Sequence, residues 1–103
     1  MTRAEVRICG TRCTLKLEGH ATGHPEVCAA ISTLAGSLEA YLENWPEAVE
    51  EVYCWRVQPG DVEMDIEGSE DAKAAFRLVA VGLARLELAC EDALVVEALA
   101  DDE

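Results

Sequence analysis

Residues 52–67 read VYCWRVQPGDVEMDIE, two short runs of alternating apolar and polar residues on either side of Pro59-Gly60. This pattern predicts a β-hairpin, because alternate side chains of a strand point to opposite faces and a Pro-Gly pair suits a tight turn. Pairing the two residues that flank the turn sets Arg56 opposite Glu63 on one face. The other face then receives the apolar residues Tyr53, Trp55, Val57, Val62, Met64 and Ile66.

An earlier hairpin is predicted over residues 4–18, where two alternating runs are separated by Gly10-Thr11. A two-residue turn at this pair sets Cys9 opposite Arg12. The same register pairs opposite charges on one face. It collects four apolar residues on the other, which are Val6, Ile8, Cys13 and Leu15.

Each hairpin is followed by a helical pattern. After a loop at residues 19–24, Pro25 suits the first turn of a helix, and apolar residues then recur every three or four positions as far as Trp45. After the second hairpin, Ser69 is expected to cap a longer helix with an apolar stripe over residues 72–90. Three further apolar residues widen that stripe and indicate a partner chain: Leu78, Val81 and Leu88.

The element order predicts an α+β fold of two layers, a four-stranded antiparallel sheet with two helices in the order β-β-α-β-β-α. Residues 1–103 are expected to form a single domain. Residues 93–98 are consistent either with a continuation of the last helix or with a short extra strand. Residues 98–103 are expected to be a frayed acidic tail.

Composition excludes several classes of function. Eight basic and 21 acidic residues give a net charge of −13, which argues against direct binding to nucleic acids or anionic lipids, since those polyanions are held mainly by Lys and Arg. The acidic excess is greatest over residues 39–71. No apolar run approaches the roughly 20 residues of a membrane-spanning helix. Five scattered cysteines and the absence of an export signal predict a soluble cytoplasmic protein with reduced thiols.

Cys28 is the candidate nucleophile. A helix that begins at Pro25 places Cys28 in its first turn, where unpaired N–H groups and the helix dipole favour a thiolate. The preceding loop offers two imidazoles as a base, and we favour His20, at a strand end, over His24, which is expected at the helix entry. A cysteine on an apolar helix face is also commonly a small buried hydrophobe. We assign that role to the others: Cys9, Cys13, Cys54 and Cys90.

A zinc site built from Cys9, Cys13, His20 and His24 is the competing use of these residues. The predicted hairpin turns the two thiols to opposite faces, and the central spacing is shorter than in zinc fingers. We therefore expect no metal and no cofactor.

Residues 19–21 (GHA) and 27–34 (VCAAISTL) resemble the ribosomal-processing cysteine protease family, whose signature is a Gly-His-Ala element followed by a Val-Cys-Ala-Ala-Val-Ser-Ala-Leu helix start. The order of elements and residues 81–83 (VGL) are also similar. The resemblance implies a Cys–His protease of the bacterial cytoplasm that removes a short N-terminal extension from a large-subunit ribosomal protein. Similar phage-encoded relatives trim scaffold or capsid proteins.

Residue by residue, the resemblance implies that Cys28 is the nucleophile and His20 the general base and acid. It implies a supporting hydroxyl at Ser32 and a small residue beside the histidine at Gly19. The substrate would be an extended protein segment. The family is dimeric, and a homodimer would cover the surplus apolar residues of the second helix.

Two departures from the family pattern leave open how the site is gated and oriented. The loop at residues 21–27 is shorter than the family's mobile flap, and Pro25 stands where the family usually has Asp. The alternative function is a non-catalytic dimeric module that binds a ribosomal or capsid protein. In that case Cys28 would be an inert core thiol and His20 a residue that fixes the loop.

Overall fold

The computed structural model describes residues 1–102, in which five strands form one sheet and two long helices pack on the same face of it. The elements in chain order are β1 (Thr2–Cys9), β2 (Arg12–Glu18), α1 (Pro25–Asn44), a 3-10 helix (Pro46–Ala48), β3 (Val49–Gln58), β4 (Asp61–Gly68), α2 (Glu70–Ala89) and β5 (Leu94–Asp102). The strand order across the sheet is β3-β4-β2-β1-β5. The α+β class and the two layers agree with the sequence.

The β1–β2 hairpin forms in the expected register, and the β3–β4 hairpin does so from its turn as far as Cys54. Cys9 lies opposite Arg12 at the β1–β2 turn, and Arg56 lies opposite Glu63 in the β3–β4 hairpin. The hairpins pair through β2 and β4, which are antiparallel, so Glu18 lies opposite Asp61. This pairing brings the β3–β4 turn beside the end of β2.

The prediction of four antiparallel strands is wrong, because β5 adds a fifth strand parallel to β1. The chain crosses the sheet through α2, and a crossover connection of this kind returns it in the same direction. The frayed tail is also wrong for residues 98–102, which pair with β1. Arg77 donates hydrogen bonds of 2.7 and 3.1 Å to Asp101, and the Gly10 N–H donates to the Asp102 carbonyl at 2.8 Å. Glu103 lies outside the described residues.

Tyr53 was expected on the apolar face and lies on the opposite one. The register of β3 shifts between Val52 and Cys54, as in a β-bulge, and the extra residue turns the Tyr53 side chain outward. There the Arg12 guanidinium lies 4.2 Å from the ring centroid. The hydroxyl donates a 3.1 Å hydrogen bond to Glu67. Desolvation and this carboxylate raise the pKa of Tyr53.

The hydrophobic core lies between the sheet and the helices. Phe76 and Leu83 of α2 are completely buried there. Gly82 allows the helices to approach closely, since a Cβ at that position would lie 2.7 Å from Leu34 Cδ2 of α1. Within residues 1–102, neither α1 nor α2 has an apolar stretch long enough to cross a bilayer.

Candidate active site

Gly19 fixes the backbone directly before His20. Its N–H donates to the Gly60 carbonyl at 2.9 Å, and its own carbonyl accepts from the Thr2 hydroxyl at 3.3 Å. Its φ of +87° is in the left-handed region, and a Cβ would lie 2.5 Å from the Met1 carbonyl oxygen. Only glycine fits this position, and this explains why the residue before His20 is small.

The imidazole of His20 lies against Gly60, in the turn between β3 and β4. A Cβ on Gly60 would be 2.6 Å from His20 Cε1, and the Gly60 φ of +72° also favours glycine. The His20 side chain is exposed. The ring is therefore supported on one side by backbone and open to solvent on the other.

Cys28 lies in the first turn of α1, as Pro25 predicted. Its side chain is half-buried and packs against the core, and its thiol donates a hydrogen bond to the Ala21 carbonyl with an Sγ–O distance of 3.7 Å. The same carbonyl accepts the His24 N–H at 2.9 Å. Ala21 thus ties the loop that follows β2 to the start of the helix.

The two imidazoles have different surroundings. His24 is the N-cap residue of α1, but its side chain does not cap the helix. Its Nε2 lies 3.3 Å from Asp92 and its Nδ1 lies 3.6 Å from Glu26. His20 has no carboxylate partner among the described residues. Within residues 1–102 neither imidazole is hydrogen-bonded to the Cys28 thiol.

The N–H groups at the start of α1 are the candidate oxyanion donors for a nucleophile at Cys28. The N–H groups of Val27 and Cys28 both donate to the His24 carbonyl, at 3.0 and 3.1 Å. Pro25 has no N–H. Among these first-turn residues, the Glu26 amide alone has no acceptor within residues 1–102. The structure therefore reduces the candidate donors in this turn to one.

Ser32 lies one helical turn after Cys28 and is exposed. Its hydroxyl has no hydrogen-bond partner within residues 1–102. The neighbouring Thr33 instead donates to the Ala29 carbonyl of the preceding turn at 2.9 Å. The Ser32 hydroxyl remains available to a ligand.

The remaining cysteines do not form a site. Cys13 is completely buried, and burial raises its pKa to about 11. Cys9 is exposed, contrary to the expected core role, because it lies on the other face of the hairpin. Cys90 is half-buried and packs against the core, whereas Cys54 is half-buried on the outer face of the sheet, where Arg56 donates to its Sγ at 3.9 Å, contrary to the expected core role. Within residues 1–102, no group of three or more His, Cys, Asp or Glu side chains could hold a metal ion.

Two residues that contact the candidate imidazoles, Gly60 and Asp92, were not predicted from the sequence to do so. Gly60 was assigned to a turn, but nothing local linked that turn to His20; the signal was the pairing of β2 with β4. Asp92, which lies beside His24, follows α2 in a turn with no distinguishing pattern.

Comparison with solved structures shows the same fold in a bacterial protease. The ribosomal processing protease Prp from S. aureus, in complex with a covalently linked product peptide, matches with a TM-score of 0.78 and 14% identity, over 96% of this chain and 100% of that chain. Prp in complex with a substrate peptide matches with a TM-score of 0.73 and 13% identity, over 96% and 100% of the two chains. A protein from Streptococcus mutans matches with a TM-score of 0.73 and 21% identity, over 98% and 96%.

No protein-family model matches the sequence, and no curated protein matches it at a significant level. At these identities the structural likeness establishes the fold alone, over 96% of this chain and 100% of the Prp chain.

Proposed function

We propose that this protein is a cysteine endopeptidase that removes a short N-terminal extension from a large-subunit ribosomal protein or a phage structural protein. The observation that carries the proposal is the full-length match to a protease fold whose structures hold substrate and product peptides. Two features of the chain support it. Cys28 lies in the first turn of α1, and the loop that precedes the helix carries the exposed His20.

The proposed mechanism is acyl transfer with Cys28 as nucleophile. Cys28 passes its proton to His20, and its sulfur forms a bond to the carbonyl carbon of the scissile peptide. The C–N bond then breaks as His20 returns the proton to the leaving amine, which leaves a thioester on Cys28. His20 next takes a proton from water, whose oxygen displaces the sulfur. The products are a free carboxylic acid and the restored thiol.

This mechanism requires the thiol of Cys28 to change its hydrogen-bond partner. The Cys28 thiol must leave the Ala21 carbonyl and bind the His20 ring, which Gly60 continues to support. The thiol is free to do so because its hydrogen bond to a carbonyl is weak, and the His20 ring is open to solvent on the side away from Gly60. Catalytic hydrogen bonds commonly tighten only when substrate binds.

The supporting roles follow from the contacts. Gly19 holds the backbone on which His20 is carried. Ser32 presents an unpartnered hydroxyl one turn from the nucleophile, where it can bind the backbone of a substrate. The proposed location is the bacterial cytoplasm, where free thiols persist.

We also propose a homodimer formed through α2. Three apolar side chains are strongly exposed along this helix, Leu78 at 72%, Val81 at 58% and Leu88 at 79%. A stripe of this kind is unusual on the surface of a monomer and is typical of a protein–protein interface. A second copy of α2 would cover it.

The test is cleavage of the large-subunit ribosomal proteins of the host, followed by intact-mass spectrometry. The wild-type protein should shorten one of them at its N-terminus, whereas Cys28→Ala, Cys28→Ser and His20→Ala should not. Cys9→Ser is the matched control, since Cys9 is exposed at the end of β1, on the other side of β2 from the β3–β4 hairpin. Processing by either Cys28 variant would disprove the mechanism.

A second candidate function is a non-catalytic dimeric module that binds a ribosomal or capsid protein. The bond from the Cys28 thiol to the Ala21 carbonyl, rather than to an imidazole, favours it. Such a module would retain the same protein in a pull-down with wild-type and Cys28→Ala chains and would shorten neither sample.

A further inference from the structure

The strand β3 lies at one edge of the sheet, so one side of its backbone has no strand partner among the described residues. Its two halves differ. Register shifts between Val49 and Glu51 and between Val52 and Cys54 interrupt the first half, whereas residues 54–58 pair regularly with β4. Bulges hinder the addition of another strand, so the regular run is the part of this edge able to accept one.

An apolar groove lies beside the bulged half of β3. It has a volume of about 480 Å³, and its apolar wall consists of Leu42, Pro46, Val49, Val52 and Trp55. Val52 is 51% exposed. The groove is large enough for one or two apolar side chains of a bound segment.

The charge around this groove has one sign. Its lining includes Glu43, Glu50 and Glu51 and contains no Lys or Arg. Arg56, the basic residue of β3, is already bound by two carboxylates: its Nε donates to Asp61 at 2.9 Å and its guanidinium to Glu63 at 3.4 Å. A second acidic copy of this chain would meet like charges here, whereas a basic segment would meet opposite ones.

The strand β3 runs from the groove to the turn that lies beside the candidate active site. The helix α1 begins near the His20 loop and ends where the chain turns into β3, so β3 runs back toward the start of α1. The strand then ends at the turn that contains Gly60, against which the His20 ring lies. A segment bound along the edge of β3 would therefore run toward the turn that His20 contacts.

We propose that the outer edge of β3 is the docking strand for the substrate, which pairs with residues 54–58 and places apolar side chains in the groove while its basic side chains meet the three glutamates. This inference rests on the proposed function and adds the substrate class: an extended segment in which apolar and basic residues alternate. Main-chain pairing supplies affinity, and the groove and its charge supply specificity.

The test measures binding without cleavage, with the full-length Cys28→Ala chain. The probe is a fluorescein-labelled nine-residue peptide of alternating Val and Lys, compared with the Val-Glu peptide and with a Val-Lys peptide N-methylated at alternate amides. Fluorescence anisotropy at about 50 mM NaCl should give a Kd at least tenfold lower for the Val-Lys peptide than for either comparison peptide, and a Kd that rises at about 300 mM NaCl.

A matched pair of variants locates the binding surface. Glu51→Lys should weaken binding of the Val-Lys peptide about tenfold. Glu91→Lys changes the net charge equally in the turn after α2, outside this groove, and should have a much smaller effect. Equal Kd values for the three peptides, or equal effects of the two variants, would overturn the proposal.

Further outcomes distinguish the docking strand from a dimer interface at the same edge and from the proposed endopeptidase activity. If Val52→Asp changed the oligomeric state in analytical ultracentrifugation, a second copy would cover the edge and the docking strand would be disproved. Binding as expected, together with no cleavage of any ribosomal protein by the wild-type chain, would leave the docking strand standing and remove the endopeptidase. Cleavage that is unaffected by Glu51→Lys would leave the endopeptidase standing and disprove the docking strand.

Discussion

The imidazole of His20 lies directly against the Cα of Gly60, which joins the end of β2 to the turn between β3 and β4. The backbone makes the same connection, since the Gly19 N–H donates to the Gly60 carbonyl at 2.9 Å. The position of the candidate base is therefore set by a turn that is distant in sequence. A substitution in that turn should therefore change the rate of cleavage without altering Cys28.

The first prediction is that Gly60→Ala impairs cleavage by displacing His20. Gly10→Ala is the matched control, because Gly10 also has a positive φ, +61°, but nothing lies within 4 Å of a Cβ there. Each substitution puts a Cβ on a left-handed backbone and should cost about 1–2 kcal/mol of unfolding free energy. Only Gly60→Ala should lower kcat/KM, by about tenfold or more. Equal activities of the two variants at equal folded fraction would argue against His20 as the base.

The second prediction concerns acid stability. The Arg12 guanidinium donates hydrogen bonds of 2.9 and 2.8 Å to Asp65, and this contact lowers the pKa of that carboxyl. The folded state therefore holds the proton less tightly than the unfolded state. The stabilisation is complete above the unfolded pKa of about 3.9 and is lost as the pH falls through the lower folded pKa.

Asp65→Asn should accordingly lower the free energy of unfolding at about pH 7, and the difference from wild type should shrink toward about pH 2. Urea unfolding at several pH values measures it. A difference that is constant over this pH range would show that Asp65 does not act through its charge.

The third prediction is that the Cys13 thiol is unreactive in the folded protein. Burial removes it from solvent and raises its pKa to about 11. Iodoacetamide at about pH 8 should modify the exposed Cys9 and leave Cys13 intact until urea unfolds the chain. Modification of both thiols at similar rates in the native protein would contradict the buried position of Cys13.

The fourth prediction compares two helical glycines. Gly36 in α1 has open space where a Cβ would lie, so Gly36→Ala should raise the free energy of unfolding by about 0.5–1 kcal/mol. Gly82→Ala gains the same helix propensity but forces Leu34 to move, so it should be less stable than Gly36→Ala. Thermal unfolding of the two variants ranks them; the opposite order would mean that α1 and α2 are not in close contact at Gly82.

The sequence predicted the parts of the fold that are local. Two-residue turns and strict alternation specify a hairpin register, which is confirmed throughout β1–β2 and for residues 54–58 of β3. The parallel strand β5 was not predicted, because its partner β1 lies at the other end of the chain and residues 93–98 fit a helix as well as a strand. The outward turn of Tyr53 was not predicted either, since adjacent apolar residues at 52 and 53 conceal a bulge.

In the candidate site, too, the local features were predicted from the sequence and the long-range contacts were not. Pro25 predicts the helix start and hence the position of Cys28 in the first turn. The contact of His20 with Gly60 depends on which strands are neighbours in the sheet, and the ion pairs of His24 depend on Asp92 in a distant turn. Such relationships arise from tertiary packing, which local patterns do not specify.

The central claim is that Cys28 is an activated nucleophile and that His20 activates it. The most direct measurement is the alkylation rate of each thiol near neutral pH, followed by peptide mass spectrometry in wild type and His20→Ala, with Cys9 as the exposed reference. We expect Cys28 to react fastest in wild type and about tenfold more slowly in His20→Ala, while Cys9 is unchanged. A Cys28 that reacts no faster than Cys9 and is indifferent to His20→Ala would contradict this claim.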